Sequence, residues 1–268
     1  MSDVRRKLPI VLRNLPAIVY AGLIYGFIFL PVAVLMLFSL QGSRLPVPPF
    51  NGPSLKWYVA VFSDARVMDA MVNSVIVALV SSLVSVGLGF LAAYALARHR
   101  VPAARFIQGF LTAPLTVSYL IIAMGLLITF NAVGVPKSLA TIVIGHVVIN
   151  LPLCFAIIYS QMGAHQANIE RAARDLGARE WQVLALVTVP MLWPALFASF
   201  FLAVTFSWDE FIIAFMVSRF DVTLPVEIWS MLRSGLNPKT NAVGSFVFII
   251  SVITVLILEF VVFRRKRT

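Results

Sequence analysis

Charge is scarce in this sequence. Asp, Glu, Lys and Arg together make up 12% of the 268 residues, about half of what a soluble domain carries on its surface. Cysteine is scarcer: Cys154 stands alone, which excludes an intramolecular disulfide and any cysteine-built metal cage. Its apolar flanks mark it as a small buried hydrophobe. The sequence also lacks a G-x-x-x-x-G-K-[ST] phosphate loop, an H-E-x-x-H pair and a G-x-S-x-G elbow. No catalytic constellation, metal site or cofactor site of its own is expected, and any ATP chemistry has to come from another chain. Internal repeats and low-complexity tracts are absent too.

What the chain has is apolar residues, at 60%, with a mean hydropathy of +0.96. A spanning helix needs about 20 mostly apolar residues. Six stretches qualify, at about 17–40, 71–97, 106–130, 139–162, 191–217 and 243–263. The sequence therefore predicts an all-α polytopic membrane protein, a single domain over 1–268 with six transmembrane helices. The first stretch follows Arg5, Arg6, Lys7 and Arg13, as a signal peptide would. Its apolar run is too long for one and no A-x-A site follows, so it is expected to be retained.

The net charge is +10. The basic residues cluster at span ends, which points to membrane topology rather than nucleic acid. With six spans, fourteen Lys and Arg fall on the side of both termini and seven on the other. The positive-inside rule then places the N- and C-termini in the cytoplasm. On the opposite side, residues 41–56 carry four prolines and predict a helix-free connection. Val226 to Leu232 reads as a short amphipathic stretch.

The cytoplasmic loop 163–190 is the most informative segment. Asn168 to Ala178 reads as a short helix. Asn168 is positioned to cap it, Glu170 stands in the first turn, and Gly177 can end it in the left-handed conformation. Ile169, Ala172, Ala173 and Leu176 share one side, while Glu170, Arg171, Arg174 and Asp175 occupy the solvated remainder. The two alanines leave that side shallow enough for another surface to approach. A second helix is expected over Glu180–Thr188, with Pro190 and Pro194 opening the fifth span.

The run RAARDLGA, followed by Trp181 to Val189 and Pro190, resembles the loop shared by the membrane subunits of ABC importers, the binding-protein-dependent transport permeases. In that family the loop begins Glu-Ala-Ala, with Gly six residues after the Glu, and forms a coupling helix that docks on the ATP-binding subunit. Ala172, Ala173 and Gly177 fall on the family positions, and Arg171 stands at the glutamate position with Glu170 one residue earlier. Ser54-Leu55-Lys56-Trp57-Tyr58, Asn73-Ser74, Ser207-Trp208-Asp209-Glu210-Phe211 and Thr223-Leu224-Pro225 extend the resemblance, which is similar to the spermidine/putrescine-type branch. It implies a type I ABC importer permease fold in the bacterial inner membrane. It also implies coupling to a separate ATPase pair, which holds ATP-Mg, through residues 168–181. The coupling residues would be Glu170, Arg171, Ala172, Ala173, Asp175, Leu176, Gly177 and Ala178. The further partners implied are a second permease subunit, a related chain, and an extracytoplasmic solute-binding protein.

Polar residues inside the spans are the pathway candidates: Trp208, Asp209, Glu210, Tyr119 and Asn150. Ionisable groups at such depth cost about 2.5–3.5 kcal/mol each and face a cavity or a partner. Adjacent helical residues point about 100° apart, so Asp209 and Glu210 cannot share one target. Recognition of a cation and an internal hydrogen bond or ion pair both remain open for them. His146 and Asn150 share a helix face and read as packing or as pathway lining. In polyamine-branch members a Pro-acidic pair stands where Ser118-Tyr119 stand here. The solute is therefore a polyamine, an amino-acid-like compound or another small solute. A secondary transporter for an organic cation is the competing reading. It calls for inverted repeats and paired broken helices, and needs no ATPase. A membrane enzyme would need a catalytic constellation, which the sequence does not contain.

Overall fold

In the computed structural model, residues 10–235 and 237–265 are described, and side-chain surroundings are described from Leu15 to Leu256 except at Leu236 and Thr254. Arg5, Arg6, Lys7, Lys266 and Arg267, part of the charge count above, lie outside these residues. The helices are α1 (Ile10–Ser39), α2 (Lys56–Phe62), α3 (Ala65–Arg98), α4 (Ala104–Thr112), α5 (Tyr119–Val133), α6 (Leu139–Ser160), α7 (Ala164–Asp175), α8 (Glu180–Gln182), α9 (Val189–Asp209), α10 (Ile212–Val217), α11 (Leu224–Arg233) and α12 (Pro238–Arg265). They form two compact units. One is Met1–Asp64 with Met231–Thr268, and the other is Ala65–Ser230.

In the first unit α1 packs along α12, with Leu35 lying against the flat backbone of Gly244. The helix α2 packs on α12 through an edge-to-face contact of Phe62 and Phe246 at 5.1 Å. Lys239 pairs with Asp64. The proline-rich connection contains no helix, as the sequence predicts, and is built around Gln41. That side chain is fully buried. Its amide donates to the carbonyls of Val47 and Pro49 at 3.0 Å each, and its oxygen accepts from the Asn51 N–H at 2.9 Å. Trp57 donates its indole N–H to the Gln41 carbonyl, and the Tyr58 hydroxyl meets Ser39. One amide thus satisfies three backbone groups that no regular structure could pair.

In the second unit α3, α6 and α9 pack against one another. Ala78, Ser81, Ser82, Ser85, Gly89 and Ala93 make a buried small-residue stripe along α3, which lets helices approach closely without lipid-like bulk between them. Gly89 shows how closely: a Cβ there would sit 2.9 Å from the backbone nitrogen of Phe155. Two apolar clusters lie along α6. One gathers Ile142, Ile149, Ile213 and Val217, and the other Phe90, Cys154, Phe155 and Ile158. Cys154 is fully buried.

Among the described residues, four helical runs are long and apolar enough to cross a membrane: Leu15–Ser39, Ala65–Arg98, Leu139–Ser160 and Glu180–Asp209. The stretch predicted as one helix over 106–130 is instead broken. Ala104–Thr116 and Tyr119–Val133 meet at 106°. Pro114 removes a helical donor, the chain tightens into a 3-10 turn at Ala113–Thr116, and Val117 and Ser118 are extended. The pair counts as a fifth crossing if taken as one span.

The segment predicted over 191–217 also differs. It breaks at Glu210, between α9 and α10, and it begins earlier. The run Glu180–Asp209 passes through both prolines without interruption. Pro190 offers no N–H and its ring presses on the carbonyl four residues back. The preceding turn, Val183–Thr188, widens into a π-helix, and that change accommodates the proline.

Candidate functional site

Two places in the second unit collect the polar residues that the sequence analysis singled out. The first is where α9 stops. The side chains of His146, Asn150 and Cys154 on α6 meet Ser207, Ala203 and Ser199 on α9, four residues apart on each helix. The contacts are His146 Nδ1 to Ser207 Oγ at 2.6 Å, Asn150 Nδ2 to the Ala203 carbonyl at 3.3 Å, and Cys154 Sγ to the Ser199 carbonyl at 3.8 Å. Ser81 of α3 joins this seam through Ser207 at 3.2 Å. His146 and Asn150 both face this contact between α6 and α9. Asn150, read as a pathway candidate, is buried in the α6–α9 interface, where its amide donates to the Ala203 carbonyl.

The two adjacent carboxylates have separate surroundings. Glu210 is buried and accepts hydrogen bonds from the N–H groups of Ile213, at 3.0 Å to each oxygen, and Ala214, at 3.1 Å. These are otherwise orphan donors at the start of α10, so the carboxylate both caps the helix and meets the positive end of its dipole. His146 Nε2 lies 3.4 Å from Glu210 Oε2, within ion-pair range but not aligned as a hydrogen bond. Asp209 makes no hydrogen bond or ion pair among the described residues. It opens instead into a cavity of about 620 Å³ whose walls are Tyr119, Thr205, Phe206, Asp209, Glu210, Phe211 and Ile212. Trp208, the remaining pathway candidate, is not part of these walls, and its indole N–H is buried without a hydrogen-bond partner among the described residues. Tyr119 reaches the cavity because the break at Val117–Ser118 starts α5 there. The walls thus combine aromatic faces with one uncommitted carboxylate, the chemistry that holds an organic cation.

The second place is α7. This helix starts at Ala164 after the extended Gly163, so Asn168 is its fifth residue and not its cap. Gly177 adopts φ +89°. Its N–H bonds to the Arg174 carbonyl at 2.8 Å, and the Ala178 N–H to the Ala173 carbonyl at 3.1 Å, which closes the helix in a Schellman turn. Ile169, Arg171, Ala172, Asp175, Leu176 and Trp181 are exposed, Leu176 at 89%. Ala173 and Ala178 are half-buried.

Glu170 departs from its expected place on the solvated side. It is fully buried, accepting from Arg98 Nε at 2.6 Å and Nη2 at 3.3 Å and from Thr188 Oγ at 3.1 Å. The helix starts one turn earlier than expected, and Arg98 of α3 and Thr188 of the π turn hold this carboxylate inward. Arg174 pairs with Glu180 at 2.7 Å on the surface, and that hydrogen bond pushes the guanidinium further above its ordinary range. Sequence reasoning missed Gln41, Arg98 and Thr188. Arg98 counted only as a topology charge, and nothing local marks Gln41 or Thr188 as a hub.

A family described as binding-protein-dependent transport system inner membrane component matches residues 85–267. Over 235 residues the sequence is 27% identical to the spermidine/putrescine transport system permease protein PotC of Escherichia coli K12, covering 87% of this chain and 88% of that one. It is 32% identical over 249 residues to the putrescine transport system permease protein PotI of the same organism, covering 90% and 88%. The structure superposes on a bacterial ABC transporter involved in the import of the acidic polysaccharide alginate, with TM-score 0.66, 20% identity and coverage of 98% of both chains. It also superposes on the alginate transporter in complex with a pentasaccharide-bound periplasmic protein, with TM-score 0.73 and 17% identity over 96% and 97%.

Proposed function

Because the chain belongs to the binding-protein-dependent transport system inner membrane component family, and is thus the non-catalytic permease subunit of an ABC importer, we propose that it carries a small organic cation, a polyamine or a related amine, past Asp209. The observation that carries the solute class is the unpaired Asp209 carboxylate in a cavity walled by Tyr119, Phe206 and Phe211. An ammonium about 4 Å from a carboxylate gains about 4 kcal/mol at the effective dielectric of a half-buried site, against about 1 in water. The aromatic faces add cation–π attraction and cover the methylenes. The fold is shared with an importer of an acidic polysaccharide, so the lining and not the fold selects the charge of the solute. The polyamine relatives point the same way.

The permease works with an ATPase and a solute-binding protein. In our reading it sits in the bacterial inner membrane with six spans and both termini in the cytoplasm. A second, related permease completes the pathway, and two ATPase subunits holding ATP-Mg dock on residues 168–181. The exposed Ile169, Arg171, Ala172, Asp175 and Leu176 supply that contact, and Ala173, Gly177 and Ala178 shape it. Glu170, buried, supports it from behind.

The test is uptake of radiolabelled putrescine and spermidine by cells expressing the complete transporter. Asp209→Asn is expected to lower the uptake rate about tenfold, the equivalent of about 1.4 kcal/mol, without changing the amount of protein in the membrane. Unchanged polyamine uptake by that variant, or uptake that continues when ATP is depleted and the proton gradient kept, sinks the reading.

A further inference from the structure

The helix α7 buries one side chain fully against the rest of its unit, that of Glu170. Everything else it offers is exposed or half-buried. The partners of that carboxylate come from separate elements. Arg98 is the last residue of α3, and its guanidinium also donates to the carbonyl of Met162, just beyond α6, at 3.3 Å. Thr188 ends the π turn ahead of α9. One carboxylate and one guanidinium therefore tie together the ends of α3 and α6, the helix α7 and the start of α9. The cation at the C-terminus of α3 is also favoured by that helix's dipole. Among the described residues, the other ion pair from α7, Arg174 to Glu180, lies at the surface, where such a pair contributes little, and Arg174 also meets the Tyr94 hydroxyl of α3.

We propose that Arg98, Glu170 and Thr188 form a positioning lock that transmits displacement of α7 to the membrane helices, with Glu170 as its centre. The proposal rests on the reading of residues 168–181 as the ATPase contact. If α7 is pushed or turned from outside, its exposed residues, among them Ile169, Arg171, Ala172 and Asp175, give it nothing to pull on within its own unit. The force passes through Glu170, which grips α3 by two hydrogen bonds and the π turn by a third. The π turn is the point where the helical run leading to Asp209 deviates from ideal geometry, so a displacement enters α9 at its most deformable turn. The lock positions the helices and touches no solute.

The experiment uses the complete transporter in proteoliposomes with its ATPase and binding protein, measuring ATP hydrolysed and solute imported together. Glu170→Gln keeps the shape and a bond to Thr188 but removes the charge from Arg98. The ATPase is expected to co-purify in wild-type proportion and hydrolysis to stay within twofold, while solute imported per ATP falls at least tenfold. Thr188→Val keeps the ion pair and unhooks the π turn, and an intermediate fall of about threefold is expected. Wild-type import per ATP in Glu170→Gln overturns the lock. So does a Glu170→Gln chain that fails to assemble combined with a Thr188→Val chain that couples normally, because that pattern belongs to folding alone. If the wild-type chain itself retains no ATPase, the docking reading falls, which is a different result from either.

Discussion

Replacing Gly177 by proline is expected to abolish import while the protein still inserts in the membrane at its normal level. The residue sits at φ +89°, a region closed to proline, whose ring fixes φ near −65°. Its N–H, donated to the Arg174 carbonyl, would also vanish. A cost of about 3 kcal/mol or more at this turn exceeds what a closing turn with two hydrogen bonds can absorb. The end of α7 would unwind, taking with it the Leu176 and Ala178 positions that follow the helix. An equilibrium shifted by that energy is a factor of about a hundred in the population of the intact surface. Gly177→Ala keeps the N–H and strains the backbone by about 1–2 kcal/mol, so it should import at a reduced but measurable rate. Membrane-fraction immunoblots together with uptake assays check both. Normal uptake by Gly177→Pro would remove α7 from the coupling route.

The adjacent carboxylates give the second large effect, and it appears in stability rather than transport. Glu210→Ala is expected to destabilise the detergent-solubilised protein by about 3 kcal/mol, since it leaves two buried N–H groups without an acceptor and removes the charge facing His146. Asp209→Asn should unfold at the wild-type temperature, because the native carboxylate has no partner to lose. Thermal unfolding of the two variants side by side separates a structural from a solute-facing carboxylate. Equal loss in both would mean that the cavity wall, not α10, depends on these charges.

That division of labour was only half legible in the sequence. Two neighbouring acids in an apolar helix must point apart, and helix geometry says so before any coordinates. Which one turns inward depends on the break after Asp209, and no proline or glycine marks that break. It exists because Glu210 itself supplies the cap for the next helix. The break at Val117–Ser118 is similar: Pro114 hints at it, but a hydropathy window averages straight across. By contrast α1, α3 and α6 and the left-handed Gly177 follow directly from run length and local chemistry. Glu170 illustrates the opposite failure. A helix wheel drawn from Asn168 places it among solvated charges, and only the partner 72 residues earlier, Arg98, explains its burial. Long-range pairs of this kind leave no periodic trace.

Cys154 has a practical corollary. The one sulfur nucleophile in the chain is enclosed at the α6–α9 contact with no exposed surface. Membrane-impermeant maleimides should leave the native protein unlabelled in whole cells and in inverted vesicles alike. The molecule is thus its own blank for site-directed labelling. A single thiol placed at Leu176 is expected to react only in inverted vesicles of cells expressing this chain without its ATPase, and one at Phe220 only in intact cells. That pair of readings measures the sidedness that arginine and lysine counts only suggest, with no need first to engineer a cysteine out.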